Sequence, residues 1–386
     1  MSEFRTIREL CSAVVDCPHS TPKWTANGKI VIRNKNIKHG KIDFSSPSYT
    51  DDEHFAQRIK RAKPQPGDII ITREAPIGDV GMIPENTECC LGQRMVLLRA
   101  NQSVCDNFYL LYSLQSLYVQ HQISWSEGTG TTVSNLRIPH LEQIQIPYLP
   151  LEQQAKISSV LRALEEKIEN NRRLNDNLQQ QAAALFSSLY DRTNTEVRFT
   201  DLIQILGGGT PKTGENTYWN GNIAFFTPKD VGTPYTLITE KTITEEGLSH
   251  CNSRLYPVNT VFVTARGTVG KVGMSGVPMA MNQSCYALVG KETHQLLVYF
   301  YTLKAVDRLK HKASGAVFDA ITTRDFESEQ IMKLSDDDAK AFLCIAEPMF
   351  QKVLNNCIEN LRLSTLRDSL LPKLMSGEVD VSAVQL

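Results

Sequence analysis

The sequence predicts an α+β protein in which two copies of one mixed α/β domain are each followed by a long helix. The two helices are expected to pair as an antiparallel coiled coil, which would give the chain internal pseudo-twofold symmetry. Two observations predict this class: a seven-residue apolar repeat that occurs twice, 185 residues apart, and a series of short motifs that precedes each copy in the same order. Repetition of sequence in this manner indicates repeated structural units.

The first long helix is predicted between residues 151 and 190. Alternate steps of four and three residues reach ten positions, eight of them apolar: Ile157, Leu161, Leu164, Ile168, Asn171, Asn175, Leu178, Ala182, Leu185 and Leu189. Adding 185 to each number gives a second stripe: Phe342, Ala346, Met349, Val353, Asn356, Asn360, Leu363, Arg367, Leu370 and Leu374. A heptad repeat keeps one face of a helix against a partner, so the chain contains both members of a pair.

Both stripes carry two asparagines at the same places. Antiparallel helices that cross near their middles would put Asn171 opposite Asn360 and Asn175 opposite Asn356. A buried asparagine fixes the register of a helix pair, because a slip leaves its amide without a partner. The alternative is that all four side chains face solvent.

Length and composition are those of a soluble protein with two or three domains. The chain has 386 residues, 41% of them hydrophobic and 22% charged, with a net charge of −1. No apolar run approaches the roughly 20 residues that span a bilayer, and the amino terminus is too charged for a signal peptide. We therefore expect a cytoplasmic protein that is not associated with a membrane. The nine cysteines form no CxxC pair, which favours free thiols over disulfides or a metal site.

The motifs ahead of each helix correspond throughout. Thr21-Pro22-Lys23 recurs as Thr210-Pro211-Lys212, and residues 31–37 align with 225–231. Residues 67–82 and 259–274 each predict a hairpin of two buried strands, and Gln93 and Gln283 follow after similar gaps. A helix is expected at 107–122 and again at 294–310, and Ser126-Glu127-Gly128 and Ala313-Ser314-Gly315 close the two units. The predicted segments are domain 1–148, helix 149–192, domain 193–334 and helix with tail 335–386.

These repeats and motifs resemble the specificity (S, HsdS-type) subunits of Type I restriction-modification enzymes. The resemblance covers nearly the whole chain and is strongest at residues 146–154, at Gly209-Thr210-Pro211 with Tyr218-Trp219-Asn220-Gly221, and at residues 370–378. It implies two target recognition domains that each read one half of a split DNA sequence, with no cofactor. It also implies assembly with two methyltransferase subunits and, for cleavage, two restriction/translocase subunits. The junction Pro150-Leu151-Glu152-Gln153 departs in its second copy, which reads Ser335-Asp336-Asp337-Asp338.

Charge and side-chain chemistry are compatible with DNA binding. Between residues 23 and 63, ten lysines and arginines outnumber four acids, whereas the matching stretch of the second domain is less basic, so phosphate binding should be unequal between the halves. Arginine and lysine suit guanine, and asparagine and glutamine suit adenine. The candidate DNA contacts are Lys23, Trp24, Arg33, Asn34, Lys35, Asn36, Arg73, Arg94, Lys212, Tyr218, Trp219, Lys229, Arg266, Lys271, Asn282 and Gln283. For each, a structural or solvated role is the alternative.

Motifs of catalysis are missing from the sequence. No zinc-binding histidine helix, bracketed serine nucleophile, methyltransferase loop or nuclease cluster can be found. This pattern favours a non-catalytic binding subunit whose chemistry lies on its partners. Two alternatives stay open: a coiled-coil scaffold or adaptor whose repeated domains bind protein, and an enzyme with a divergent site.

Overall fold

The computed structural model describes residues 3–125, 135–232, 234–312 and 320–381. The chain divides into two compact units, one formed by Met1–Lys167 with Leu363–Leu386 and the other by Ile168–Arg362. Each unit holds one mixed α/β domain and parts of both long helices. The predicted closing motifs at residues 126–128 and 313–315 lie outside the described residues.

The first domain consists of short strands and helices. Its strands are β1 Glu3–Thr6, β2 Cys11–Asp16, β3 Lys29–Ile32, β4 Ile37–Lys38, β5 Lys41–Ile42, β6 Ser48–Thr50, β7 Ile69–Thr72, β8 Val80–Met82, β9 Cys89–Leu91, β10 Met95–Ala100 and β11 Gln145–Tyr148. Its helices are α1 Ile7–Leu10, α2 Asp52–Arg58, α3 Asn107–Gln115, α4 Leu117–Trp125 and α5 Ile138–Gln143, and the long helix α6 Leu151–Tyr190 follows.

The second domain repeats this plan. Its strands are β12 Glu196–Arg198, β13 Ile203–Gly207, β14 Trp219–Phe226, β15 Tyr235–Thr236, β16 Lys241–Ile243, β17 Val261–Thr264, β18 Val272–Ser275, β19 Met279–Met281, β20 Cys285–Gly290 and β21 Gln330–Met332. Its helices are α7 Phe199–Leu202, α8 Glu245–Ser249, α9 Gln295–Lys312 and α10 Thr323–Ser328, and the second long helix is α11 Asp336–Met375.

The main sheets of the two domains share the order of their first four strands. The main sheets have the orders β2-β10-β7-β8 and β13-β20-β17-β18-β15. Their pairs are antiparallel except for β15 with β18, which is parallel and has no counterpart in the main sheet of the first domain. A three-stranded sheet accompanies each, β6-β3-β9 or β16-β14-β19, and in both its last pair of strands is parallel. The two predicted hairpins are confirmed as β7-β8 and β17-β18, and the fold class is confirmed as two repeated α/β domains with long helices.

Alternation along the central strands explains the layers of each domain. Ile69 and Ile71 pack in one core cluster with α3 and α4, whereas Ile70 faces the other way, in a cluster with the small sheet. In the second domain Val261 and Val263 face α9, and Phe262 packs toward the small sheet. Side chains of a strand alternate between faces, so these fully buried strands contact helices on one side and a second sheet on the other.

The helix expected at 107–122 is two helices, because Ser116 breaks it. Its backbone is extended, with φ −65° and ψ 146°, so the helical hydrogen bonds stop there. The Ser116 hydroxyl donates to the Ser113 carbonyl at 2.6 Å and accepts from the Val119 amide at 3.4 Å, which ends α3 and begins α4. The corresponding helix α9 of the second domain is continuous, as predicted.

The long helices α6 and α11 each have 40 residues and begin and end 185 residues apart. Every position of both predicted stripes is buried or half-buried. In the second unit Ala182 shares a core cluster with Phe342 and Ala346, and in the first unit Leu161 shares one with Leu374. The helices therefore pack antiparallel within each unit. No helix in the described ranges is long and apolar enough to cross a membrane.

The four asparagines meet as two pairs inside the second unit. Asn171 Nδ2 donates to Asn360 Oδ1 at 2.9 Å, and Asn356 Nδ2 donates to Asn175 Oδ1 at 2.8 Å. Asn356 is fully buried and Asn171 and Asn175 are nearly so, which excludes a solvated layer. Their role in fixing the register stays a prediction.

Arg367 occupies the one charged position of the second stripe. Its Nη1 lies 3.5 Å from Glu165 Oε1 of the facing helix, within the first unit. Glu165 also accepts a hydrogen bond from the Tyr112 hydroxyl at 3.0 Å, so its carboxylate ties α6 to both α11 and α3. The arginine therefore has a partner where the sequence suggested only a gap in the apolar seam.

The nine cysteines are all free. Five are buried, and burial raises the pKa of the Cys89 thiol to about 12 and that of Cys90 to about 11. A thiol with such a pKa is neutral at physiological pH and packs as a small apolar group. Cys344 is the exposed exception.

A double-mutant cycle on Asn175 and Asn356 tests the buried polar layer. Asn356→Leu alone leaves the Asn175 oxygen buried without its donor, so the free energy of unfolding should fall by about 1–3 kcal/mol. Replacing both by leucine should recover most of this loss, because no buried amide remains unpaired. Chemical unfolding of the four proteins measures the coupling. Asn170→Leu, at an exposed position of the same helix, is the control; equal stability of all variants would show that the pair contributes nothing.

Candidate nucleic-acid interface

A cleft of about 310 Å³ in the first domain brings together five of the predicted DNA contacts. It is lined by Pro22, Trp24, Arg33, Asn34, Lys35, Gly92, Gln93 and Arg94. These residues come from three separate stretches of the chain, at 22–24, 33–35 and 92–94. The fold has therefore assembled cations, amides and an aromatic ring around one opening.

Parallel pairing of β3 with β9 explains why two of these stretches meet. Ile32 ends β3, Leu91 ends β9, and the two residues are register partners. The Gly92 amide donates to the Ile32 carbonyl at 2.7 Å, and a Cβ on Gly92 would lie 2.8 Å from that oxygen. Only glycine fits this close approach. The loops that follow both strands must therefore leave the sheet at the same edge.

The walls of the cleft carry more positive than negative charge. The Arg33 guanidinium lies over the Trp24 ring, 4.9 Å from its centroid, and Trp24 is 45% exposed. Arg94 Nε contacts Glu74 Oε2 at 3.1 Å, and Lys35 Nζ donates to Ser46 Oγ at 3.2 Å. An exposed arginine-indole stack beside further cations provides both a flat surface for bases and charge for phosphates.

Asn36 and Arg73 lie beside the cleft but use their polar groups inside the domain. Asn36 is 4% exposed; its Oδ1 accepts from the Arg33 amide at 3.0 Å, and its Nδ2 donates to the Asp43 carbonyl at 2.9 Å. Arg73 Nη1 donates to Asp16 Oδ1 at 2.9 Å. These bonds make both residues positioning groups that shape the loops around the cleft.

Lys23 stands at the rim. Pro22 beside it is buried, and the lysine side chain is 66% exposed, with its Nζ 3.3 Å from Asp51 Oδ2. An exposed ion pair of this kind contributes little to stability. The ammonium group is thus available to an incoming phosphate.

The second domain arranges its candidates around the equivalent strand ends. Phe226 at the end of β14 is the parallel partner of Met281 at the end of β19. Lys229 follows β14, Asn282 and Gln283 follow β19, and the hydroxyl of Thr210 donates to Gln283 Oε1. This is the same edge, built from the corresponding loops.

Aromatic residues of the second domain support the turn that carries Lys212. Trp219 Nε1 donates to the Lys212 carbonyl at 3.1 Å, and Lys241 Nζ lies 5.5 Å from the centroid of the Trp219 ring. Tyr218 stacks on His250 with ring centroids 4.9 Å apart. Lys212 itself is exposed. The two predicted aromatic residues therefore hold the loop in shape, while the lysine points outward.

Arg266 and Lys271 lie on the turn between β17 and β18, and both are exposed. The Thr268 hydroxyl in this turn donates to the Pro228 carbonyl at 3.2 Å, which joins the turn to the loop after β14. The turn and the Lys229 loop are thus neighbours. Among the described residues, no group of three or more histidine, cysteine or acidic side chains could hold a metal ion.

The family comparison agrees with this architecture. Residues 6–180 and 192–333 match the family model of the Type I restriction modification DNA specificity domain. The chain belongs to this family. The sequence resemblance is thereby confirmed, and the assignment does not favour a general scaffold.

One named relative and one solved structure match nearly the whole chain, and a second relative matches a quarter of it. The Type I restriction enzyme MjaIX specificity subunit of Methanocaldococcus jannaschii is 23% identical over 95% of this chain and 87% of its own length. The EcoR124I/EcoR124II specificity subunit of Escherichia coli is 35% identical over 25% of this chain and 24% of its own. A crystal structure of a Type-I restriction-modification system S subunit from M. genitalium covers 97% of this chain and 96% of that chain, with a TM-score of 0.63 at 18% identity. At this identity, the structural likeness concerns the fold.

A larger cleft lies away from the predicted contacts of this specificity subunit. It measures about 810 Å³ in the second unit, against the first turns of α11, and includes Lys291, His294 and Ala339 in its lining. Ala339 stands where the first unit has Gln154 in the 185-residue repeat. Gln154 is fully buried there and donates to the Leu149 carbonyl at 2.7 Å. The second copy therefore lacks the side chain that closes the first junction, in line with its divergent sequence.

Arg58 supports the cleft from inside the domain, although the sequence suggested it only as one of the surface cations. It belongs to the basic stretch, yet it is 5% exposed and donates four hydrogen bonds, to the carbonyls of Leu91, Ser20, Pro18 and Gly92. Burial lowers the pKa of its guanidinium. Because these carbonyls flank the cleft, Arg58 positions two of its walls. In the sequence, the position of Arg58 at the end of a short helix, on the same side as the buried Phe55, could have indicated its burial.

Glu88 reduces the surface charge of the same stretch. Its carboxylate contacts Lys29 Nζ at 2.5 Å and Lys63 Nζ at 2.8 Å, and these hydrogen bonds lower the pKa of Glu88 to about 2. The single negative charge of Glu88 is shared between Lys29 and Lys63 and offsets one of the ten positive charges of this stretch. The excess available to DNA is smaller than the sequence count indicates.

Substitution of Arg58 tests its positioning role. Arg58→Ala leaves four carbonyls without their donor, so the free energy of unfolding of the first domain should fall by about 3 kcal/mol. Arg61→Ala is the matched control, because Arg61 is exposed and makes only long contacts with the Asp16 and Cys17 carbonyls, at 3.3 and 3.4 Å. Thermal unfolding distinguishes the two variants. An unchanged midpoint for Arg58→Ala would contradict the assignment.

Proposed function

We propose that this specificity subunit recognises double-stranded DNA in two parts, one half-site for each domain. It acts in the cytoplasm without a cofactor and supplies no catalysis itself. The observation that carries the proposal is the repeated edge: in both domains, exposed cations and amides gather where two parallel strands end. Positive charge provides affinity for phosphates, and the arginine, asparagine and glutamine side chains provide donors and acceptors for base edges.

The two half-sites are bound unequally in this proposal. The first domain presents Arg33, Lys35 and Arg94 around its cleft. In the second domain, Thr227 and Ser284 stand where the first has Arg33 and Arg94. An arginine adds binding energy whether it reaches a phosphate or a base edge. The first half-site therefore contributes the larger share of binding energy.

The helix pair sets the spacer between the half-sites. Each helix of 40 residues is about 60 Å long at 1.5 Å per residue. For both domains to enter the major groove on one face of B-DNA, the half-site centres would lie about 10 base pairs apart. The buried asparagine pairs support this role, because they favour one alignment of the two helices.

Two methyltransferase subunits dock on the outward helix faces and the junction at residues 146–154, and two restriction/translocase subunits join for cleavage. The sequence suggests Glu165, Lys167, Arg172, Arg173 and Gln179 as docking residues on the outward helix faces. The side chains of Arg172 and Arg173 are 63% and 75% exposed. Glu165 faces Arg367 instead. Within the junction Ile146 and Gln154 are buried, whereas Glu152 and Gln153 are exposed. The proposed docking groups are therefore the exposed residues Arg172, Arg173, Glu152 and Gln153.

Mapping of methylated bases tests the proposed function. In a host that carries this chain and a Type I methyltransferase subunit, sequencing is expected to show one split motif with half-site centres about 10 base pairs apart. Loss of the chain should abolish that methylation. A continuous motif, or methylation that persists without the chain, would contradict bipartite reading.

Removal of one heptad from each helix tests the spacer. Deleting residues 176–182 together with 349–355 keeps both asparagine pairs and the apolar stripes, and shortens each helix by about 10 Å. The motif should keep both half-sites and lose about three base pairs of spacer, at 3.4 Å per pair. Deletion of 176–182 alone is the control, because it shifts one stripe against the other and should abolish specific methylation. An unchanged spacer in the paired deletion would refute the role of the helices.

A further inference from the structure

The repeated domains allow equivalent positions to be compared within one chain. Two hydrogen bonds establish the equivalence at the cleft: the Arg73 amide donates to the Arg94 carbonyl at 2.8 Å, and the Ala265 amide donates to the Ser284 carbonyl at 2.8 Å. Arg94 therefore corresponds to Ser284. The residue before each is a glutamine, Gln93 or Gln283.

A second pair of hydrogen bonds shows that the loop after β3 corresponds to the loop after β14. The Arg33 amide donates to Asn36 Oδ1 at 3.0 Å, and the Thr227 amide donates to Asp230 Oδ2 at 2.8 Å. Lys35 therefore corresponds to Lys229. The intervening residues differ, with Asn34 in the first domain and Pro228 in the second.

The same tether holds the Thr-Pro-Lys turn in both domains. Gln93 Nε2 donates to Thr21 Oγ1 at 3.4 Å, and the Thr210 hydroxyl donates to Gln283 Oε1. The turn thus has a fixed place beside the strand ends, and Lys23 and Lys212 occupy equivalent exposed positions.

We propose that the lysines shared by the two domains contact DNA phosphates, and that the positions that differ read bases, with Arg94 as a specificity-determining residue for one G·C pair of the first half-site. This inference rests on the proposed function. Any two half-sites share the phosphate backbone whatever their sequence, so a residue retained in both domains suits that contact. Lysine is a point charge and suits phosphate, whereas the planar fork of arginine matches O6 and N7 of guanine.

Arg94 combines a left-handed backbone with an exposed guanidinium group that lines the cleft. Its backbone is left-handed, with φ +64°, a conformation that a residue with a Cβ rarely adopts. Such strain is concentrated at ligand-binding positions, where surrounding structure maintains it. The side chain is 57% exposed and lines the cleft, and its contact with Glu74 is through Nε. Two further guanidinium nitrogens can then donate to a base.

Asn34 beside it supplies an acceptor without a partner. Its Nδ2 donates to the Glu74 carbonyl at 2.6 Å, while its Oδ1 is buried and has no hydrogen bond. Rotation of the Asn34 side chain toward the cleft would exchange its bond to the Glu74 carbonyl for hydrogen bonds to a base, and the unpaired Oδ1 would gain a partner in a base amino group. Pro228 has no such group, so the second domain lacks this contact at the equivalent position.

Substitutions at Arg94 test the specificity role in the complex with methyltransferase. Arg94→Ser installs the residue of the second domain, and Arg94→Gly suits the left-handed backbone, so the latter should fold at least as stably as the parent. Both should lose discrimination at one G·C pair of the first half-site, on the order of 10- to 100-fold in competition binding, with the second half-site unchanged. Arg94→Lys keeps the charge without the fork and should lose the same discrimination.

Substitutions at Lys23 and Lys212 test the phosphate role. Lys23→Ala and Lys212→Ala should each weaken binding to all sequences equally and reduce the slope of log K against log salt by about 0.9. Neither should change the methylated motif. A changed base preference in either variant, or full discrimination in both Arg94→Ser and Arg94→Gly, would overturn the inference.

The parent complex separates this inference from the proposed function. If the parent complex binds a split motif and the Arg94 variants behave as the parent does, only the assignment of Arg94 fails. If the parent complex shows no preference between its motif and unrelated DNA, the proposed function fails as well. Thermal unfolding of Arg94→Gly excludes misfolding as the cause of any lost discrimination.

Discussion

Parallel pairing of two short strands is the constraint on which the candidate interface depends. Most strand pairs of the protein are antiparallel, but β3 runs alongside β9, and β14 alongside β19, in the same direction. Both chains of each pair therefore leave the sheet at one edge, and the loops that follow are brought together although they are distant in sequence. Close approach of Gly92 to the Ile32 carbonyl fixes the distance between those loops in the first domain. The direction of the strands therefore determines where the cleft forms, and the side chains of the loops determine its chemistry.

The helices impose a different constraint, because their contact surface contains polar residues that must find partners. Asn356 is fully buried, so its amide is stabilising only when Asn175 lies opposite. An apolar seam tolerates several alignments, whereas a seam with paired amides favours one. Gln154 serves a related purpose at the start of α6, where it accepts from the Asp106 amide at 2.9 Å and joins the helix to the first domain.

The positive charge available at the interface depends on which arginines already form hydrogen bonds inside the domain. Arg58 and Arg73 have the residue type expected of DNA contacts, yet their donors satisfy carbonyls and a carboxylate within the domain. Arg33 and Arg94 have the same type and remain exposed. The difference lies in the surroundings of each guanidinium, since burial favours bonds to fixed internal acceptors, and exposure leaves donors for a ligand.

The sequence by itself determined the repeat, the two long helices, the paired asparagines and the hairpins, because these depend on periodicity and local propensity that any stretch carries within itself. It also determined the family. Tertiary structure alone decided the burial of Arg58 and which of the sixteen candidates share a cleft. Those outcomes depend on contacts between residues far apart in the chain, such as Arg58 with Ser20 and Leu91, and no local pattern encodes them.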